Sequence, residues 1–107
     1  MCVFQPHRFS RTASLWEEFA DVFCAADVVV VTDVYAAGEQ PVPGVTGKLV
    51  ADAVSSAHPE LKVVYVADRD ALAARVSEQL RSGDLCITLG AGDLTTLPDE
   101  LLRAPSW

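Results

Sequence analysis

"DVVVVTDVYAAGEQPVPG", Asp27 to Gly44, decides how the chain folds. Its first part, Val28–Thr32, is a continuous β-branched run with no alternation of apolar and polar side chains. A strand of that kind is expected to be covered on both faces, as in a parallel sheet. A long polar connection follows, loosened at Gly38 and stiffened by Pro41 and Pro43 on the return. Connections of that length in compact domains tend to carry function.

Working outward, three more short apolar runs match this pattern: Cys2–Phe4, Lys62–Val66 and Leu85–Leu89. Helical patterns separate them. Ser14-Leu15-Trp16-Glu17 fits a capping box, which predicts a first helix after Arg11 with Thr12 as a competing cap. Leu15, Phe19, Val22, Phe23 and Ala26 would form its inner stripe. A second helix is expected from about Thr46 to Ser56, burying Leu49, Val50, Ala53 and Val54. The third is capped by Asp68 or Asp70 and turns Leu72, Val76 and Leu80 inward. Arg81 complements its C-terminal dipole, and Gly83 suits the left-handed position after its end. A short last helix begins near Leu97, with Thr96 as cap and Pro98 in the first turn.

Strand–helix–strand units joined by right-handed crossovers predict an α/β fold, a Rossmann-like, doubly wound, mostly parallel sheet. The 107 residues make one domain or part of one. The chain opens inside a strand, and its few helices would leave part of a sheet face uncovered. A domain truncated on its N-terminal side is the expectation.

Composition narrows the partners. Half of the residues are hydrophobic, which argues against disorder. No apolar run approaches the ~20 residues of a membrane span, and no secretory leader is seen. A formal charge of −7 disfavours nucleic acid and anionic membrane as partners. Cys2, Cys24 and Cys86 are odd in number and lack CxxC spacing, so neither zinc, nor any other metal site, nor a disulfide framework is expected. Cys24 and Cys86 lie in apolar segments and are expected as buried free thiols. The chain reads as a cytoplasmic protein.

Ligands of open α/β sheets bind beyond the carboxyl ends of the strands. Four segments fall there: "FQPHRFSRT" (4–12), "DVYAAGEQPVPG" (33–44), "ADRD" (67–70) and "LGAGDLTT" (89–96). Arg8 and Arg11 place two guanidinium forks beside a helix start, which suits a carboxylate or phosphate. The alternative is that they pair with Asp33 or Glu39. His7 either orients a ligand or serves the fold. Asp33 ends the buried strand, Tyr35 offers a flat face and a hydroxyl, and Glu39 suits a ligand amine or plain solvation. Gly90 and Gly92, with Asp93, form a GxG that is not completed to GxGxxG, a weak phosphate signal against a simple tight turn. Asp68-Arg69-Asp70 reads as caps and a surface pair, and neither Trp16 nor Trp107 carries a site signal. There is no GxxxxGK[ST], HExxH or GxSxG motif and no complete catalytic set. The residues alone reach as far as an anion-binding, Rossmann-like module.

"VFQPHRFSRT", "DVYAAGEQPVPG" and "LGAGDLTT", in that order, resemble the C-terminal domain of the Mur ligase family over essentially the whole chain. "FQPHR" followed by "SRT", then "DVYAAGE", is most similar to the alanine-adding members. The resemblance implies that residues 1–107 are a single third domain, incomplete at its N-terminus. It implies an ATP-dependent, ADP-forming ligase joining L-alanine to UDP-N-acetylmuramate in peptidoglycan precursor synthesis. ATP and Mg²⁺ would be held mainly by a central domain absent from this chain. Partners would be L-alanine, UDP-N-acetylmuramate or its alanyl product, and the other ligase domains. By position, His7, Arg8 and Arg11 become substrate-binding, with the arginines on the carboxylate side of alanine. Asp33, Tyr35 and Glu39, then Gly90, Gly92 and Asp93, would line the same cleft. No catalytic residue is expected here, and the chain alone is expected to be inactive. The competing expectation is a stand-alone anion-binding or regulatory module without catalysis.

Overall fold

Strands β1 (Cys2–Phe4), β2 (Val28–Thr32), β3 (Lys62–Val66) and β4 (Ile87–Leu89) form one sheet in the order β3-β2-β1-β4. The computed structural model describes residues 1–103, so Trp107 lies outside the described residues. Every pairing is parallel, with Val3 opposite Val30 and Thr88, and Val30 opposite Val64. Among the described residues four α-helices accompany the sheet: α1 (Phe9–Leu15), α2 (Gly47–Ala57), α3 (Leu72–Gln79) and α4 (Leu97–Arg103).

Valine at consecutive positions of β2 serves two cores at once. Val29 and Val31 pack with Val50, Ala51 and Val54 of α2 and with Phe23. Val30 turns to the opposite face and joins Val3, Val66, Leu72, Val76, Leu80, Leu94, Leu97 and Leu101. Val29, Val30 and Val31 are wholly inaccessible. The unbroken apolar run thus buries both faces, and the sheet is doubly wound and all parallel. Chain order reverses between β1 and β4, which places the topological switch point at their carboxyl ends.

Several local expectations are corrected. Helix α1 begins at Phe9, well before Ser14, and no side chain of a capping box closes it. The Arg8 carbonyl accepts both the Thr12 amide (3.1 Å) and the Thr12 hydroxyl (2.8 Å), so the first turn is fastened early. Trp16–Asp21 then continues as a 3₁₀ helix. Its tighter winding rotates the apolar stripe: Phe23 is buried, whereas Val22 is 61% exposed. Cys24, in the turn beyond, is exposed rather than buried, and Cys86 is half-buried with its thiol pushed up by burial.

Helix α2 has Thr46 as its N-cap, accepting from the Lys48 amide at 3.2 Å. It buries Val50, Ala51 and Val54, with Leu49 and Ala53 only half-buried. Asp68 caps a 3₁₀ turn, Arg69–Ala71, ahead of α3. Helix α3 ends at Gln79 because Leu80 turns extended to reach the core. Gly83 does adopt a positive φ of 93°, but in the turn closed by the Asp84 amide on the Arg81 carbonyl. Helix α4 begins at Leu97, directly after a 3₁₀ turn over Asp93–Thr96, and the Thr96 hydroxyl can give its one proton to Asp93 O or to Glu100.

Strand β4 is shorter than its apolar run. It pairs with β1 alone and, as an edge, leaves Leu85, Ile87 and Leu89 at 73%, 44% and 42% exposure. Ile87 and Leu89 sit beside Cys2 and Phe4, on the α2 face. This is the uncovered part of the sheet that the sequence anticipated.

Candidate functional site

The parallel topology brings all four polar segments to one rim. The two longest are stitched together directly. The Tyr35 amide donates to the Pro6 carbonyl at 2.9 Å, and the Arg8 amide donates to the Tyr35 carbonyl at 2.8 Å, extending the β1–β2 pairing into a bridge between His7 and Tyr35. The His7 and Tyr35 rings stack with centroids 5.8 Å apart. These contacts, with the Thr12 bonds on its carbonyl, hold Arg8 at φ 67° and ψ 139°, a region that glycine favours.

His7, Arg8 and Arg11 are brought together. With Ser10, Ser14 and Leu15 they line a depression of about 600 Å³. Both arginines are exposed, and among the described residues neither forms a salt bridge. The carboxylate that competes for this place is engaged elsewhere. Glu39 accepts the Ser10 amide at 3.1 Å and the Ser10 hydroxyl at 2.5 Å. Those bonds, the hydroxyl first, hold its pKa below the ordinary 4.5. Glu39 therefore closes the amino end of α1 from a loop 29 positions away, and it lines neither depression.

A second depression of about 610 Å³ lies beside the first, lined by Asp33, Tyr35 and Asp93 together with Gln5, Thr32 and Arg69. Asp33 is chiefly a brace: its Oδ1 accepts the Val34 and Gly47 amides, each at 2.9 Å. Gly47 must be glycine, since a Cβ would run into the Thr32 carbonyl. Gly90 abuts Gln5 and Leu94, and Gly92 lies under the Tyr35 ring, so neither glycine opens a cradle for phosphate.

Gln5 and Arg69 were missing from the sequence-based candidates. Gln5 is 4% exposed and donates from Nε2 to Asp93 Oδ1 at 2.5 Å, linking the ends of β1 and β4 at the switch point. Its signals were its place directly after a buried strand and its membership of the FQPHR stretch. Arg69 holds Glu100 through both oxygens (3.2 and 2.6 Å), and it also reaches Asp93 O and Thr96. Its Nε approaches Asp93 Oδ1 at 3.4 Å without the alignment of a hydrogen bond. The pair stabilises both charges, raising Arg69 and lowering Glu100. The expected surface pair is thus a half-buried clamp between two rim segments.

Chemically, the rim offers two forked cations and a stacked imidazole in one hollow, next to an acidic, braced one. That arrangement can bind and orient a small carboxylate. Among the described residues no cluster of three metal-ligating side chains occurs, and no helix is long and apolar enough to cross a membrane.

Comparison with known proteins adds to this geometry. Residues 1–92 match the family model described as Mur ligase, glutamate ligase domain. The UDP-N-acetylmuramate–L-alanine ligase of Rubrobacter xylanophilus is 50% identical over 102 residues, 95% of this chain and 23% of that protein. The protein of the same name from Anaeromyxobacter dehalogenans is 48% identical over 103 residues, 95% of this chain and 22% of its own length. That from Mycolicibacterium smegmatis is 52% identical over 99 residues, 92% and 20% of the two chains. The chain spans about a fifth of the length of these relatives.

Proposed function

This chain belongs to the Mur ligase family as its C-terminal glutamate ligase domain, and from that membership we propose that it is the amino-acid side of a cytoplasmic ligase that joins L-alanine to UDP-N-acetylmuramate. One observation carries the residue-level reading. Arg8 and Arg11 stand exposed and, among the described residues, outside any salt bridge, around one hollow, while both oxygens of the nearby Glu39 accept from Ser10. An α-carboxylate is the anion that fits: it offers two oxygens to forked donors, and water exclusion would strengthen both bonds. His7 forms the wall of the same hollow and would orient the ligand's far side. Asp33, Tyr35 and Asp93 line the adjoining hollow, while Glu39 fastens Ser10 at the start of α1, Gly90 packs on Gln5 and Leu94, and Gly92 packs on the Tyr35 ring.

The family implies ATP and Mg²⁺ for the complete reaction. The residues present do not fit either group. The chain has no GxxxxGK[ST] loop, the Gly92 surface is covered by Tyr35, and Asp33, Glu39, Asp93 and Glu100 are engaged by backbone amides, Ser10, Gln5 and Arg69 respectively. Nucleotide and metal are therefore assigned to the remainder of the ligase, and the isolated chain is proposed to turn over nothing.

The test is a titration of UDP-N-acetylmuramyl-L-alanine into the purified chain and its Arg8→Ala and Arg11→Ala variants. Wild type should bind saturably, and each variant should lose about 1.5–3 kcal/mol, the usual cost of a charge-assisted hydrogen bond. Equal binding by all three removes the arginines from the reading. Phosphate release from ATP that depends on alanine would overturn the inactivity of the chain alone.

A further inference from the structure

We propose that Gly92 is a positioning residue for His7, acting through the ring of Tyr35. This rests on the reading above that His7 faces the ligand. The coupling itself rests on contacts.

A Cβ placed on Gly92 would lie no farther than 2.7 Å from three carbons of the Tyr35 ring, Cγ and both Cδ atoms. The ring is therefore seated flat on the bare backbone of the segment after β4. Gly92 has φ −96° and ψ −137°, and what an added Cβ would meet at this position is the Tyr35 ring. The same Tyr35 ring stacks on the His7 imidazole, with centroids 5.8 Å apart.

The backbone of Tyr35 cannot absorb an added methyl group by shifting. Its amide and carbonyl are both tied to the β1 segment, at 2.9 and 2.8 Å, one residue on either side of His7. What remains mobile is the ring, through its side-chain torsions. A methyl on residue 92 would displace the ring and so disturb the surface on which His7 rests. The His7 Nδ1 is buried without a hydrogen-bond partner, so no polar contact at that atom would hold the imidazole once the stack is lost. The segment after β4 thus reaches the arginine hollow through two rings, without touching it.

Substitution at 92 and nuclear magnetic resonance of the two histidines, His7 and His58, test this in the complete 107-residue chain. In Gly92→Ala the ring-proton and ring-nitrogen signals of His7 should move, while those of His58, at the carboxyl end of α2, stay in place. Tyr35→Phe should leave the His7 signals near their wild-type positions, because the ring and not the hydroxyl makes the stack. Binding of UDP-N-acetylmuramyl-L-alanine should weaken roughly 2- to 10-fold in Gly92→Ala, the range expected for forcing one side chain off its rotamer. Unmoved His7 signals in Gly92→Ala overturn the proposal.

Should Gly92→Ala fail to fold, the double variant Gly92→Ala/Tyr35→Ala decides. Recovery of the fold shows that the ring is what the methyl meets, and failure to recover it overturns the seat. If His7 moves but the Arg8→Ala and Arg11→Ala variants bind like wild type, the coupling stands and the functional reading falls.

Discussion

Ser10 takes up both carboxylate oxygens of Glu39, one with its amide at 3.1 Å and one with its hydroxyl at 2.5 Å. A loop residue thereby closes the first turn of a helix that starts 30 positions earlier, and the β2–α2 loop is locked to α1. The charge matters as well as the geometry, since an ionised acceptor makes the stronger bond.

Glu39 titrates below its ordinary value of 4.5 in the folded chain. A carboxyl depressed in this way stabilises the fold fully above its unfolded pKa, and the contribution is lost as pH falls through the folded one. The melting temperature of Glu39→Gln should therefore lie below that of wild type at neutral pH, and the gap should close in acid. A gap of constant size across the titration contradicts the assignment.

His58 behaves with the opposite sign. Its Nε2 lies 2.8 Å from Asp21 and its Nδ1 3.2 Å from Glu60, so only the imidazolium satisfies both. Asp21, then Glu60, raises its pKa above 6.5. The stability it contributes is fully present below pH 6.5 and is lost as pH rises through the folded value. Wild type should lose melting temperature over that interval, and His58→Gln should be flat there. Parallel curves would show that the contact contributes nothing.

The Arg69–Glu100 clamp is amenable to a double-mutant cycle. Arg69→Ala should cost about 1.5–3 kcal/mol, because it removes hydrogen bonds to charged and backbone acceptors on a side chain only 21% exposed. Urea unfolding of both single variants and the double should show strong non-additivity. Arg69→Lys should recover little, since an ammonium cannot match the two-pronged contact. Additive losses would mean that the two residues act independently.

Asp33 should prove mainly structural. Asp33→Ala strips the acceptor from the Val34 and Gly47 amides and should cost about 0.5–2 kcal/mol, the range of a lost helix cap. Asp33→Asn keeps a carbonyl oxygen in place and should retain most of that. Gly47→Ala, which drives a methyl into the Thr32 carbonyl, should cost about 1–3 kcal/mol. Equal stability of Asp33→Ala and wild type would make the brace decorative.

Where the fold was legible from sequence, the reason is local. β1, β2 and β3 lie where their apolar runs predict, because a run buried on both faces carries its own signature. Thr46 and Asp68 likewise cap amides two residues away. The start of α1 was not legible. Ser14-Leu15-Trp16-Glu17 has the letters of a cap, but Glu39, 29 positions from Ser10, supplies the real one, and no short window contains that pair. The hollow around His7, Arg8 and Arg11 followed from strand ends. The part of Gln5 did not, since its partner Asp93 is 88 positions away and meets it only once β4 docks beside β1.

The backbone of Arg8 asks for glycine and carries an arginine. Holding a side chain in such a region costs about 1–3 kcal/mol, which the Tyr35 and Thr12 bonds must offset. A glycine at position 8 would relieve that strain and firm up the domain, while deleting a guanidinium from the hollow. Selection for robustness alone would erase this residue. Directed evolution scored on thermal endurance should drift toward glycine there, and a screen scored on ligand capture should drift back.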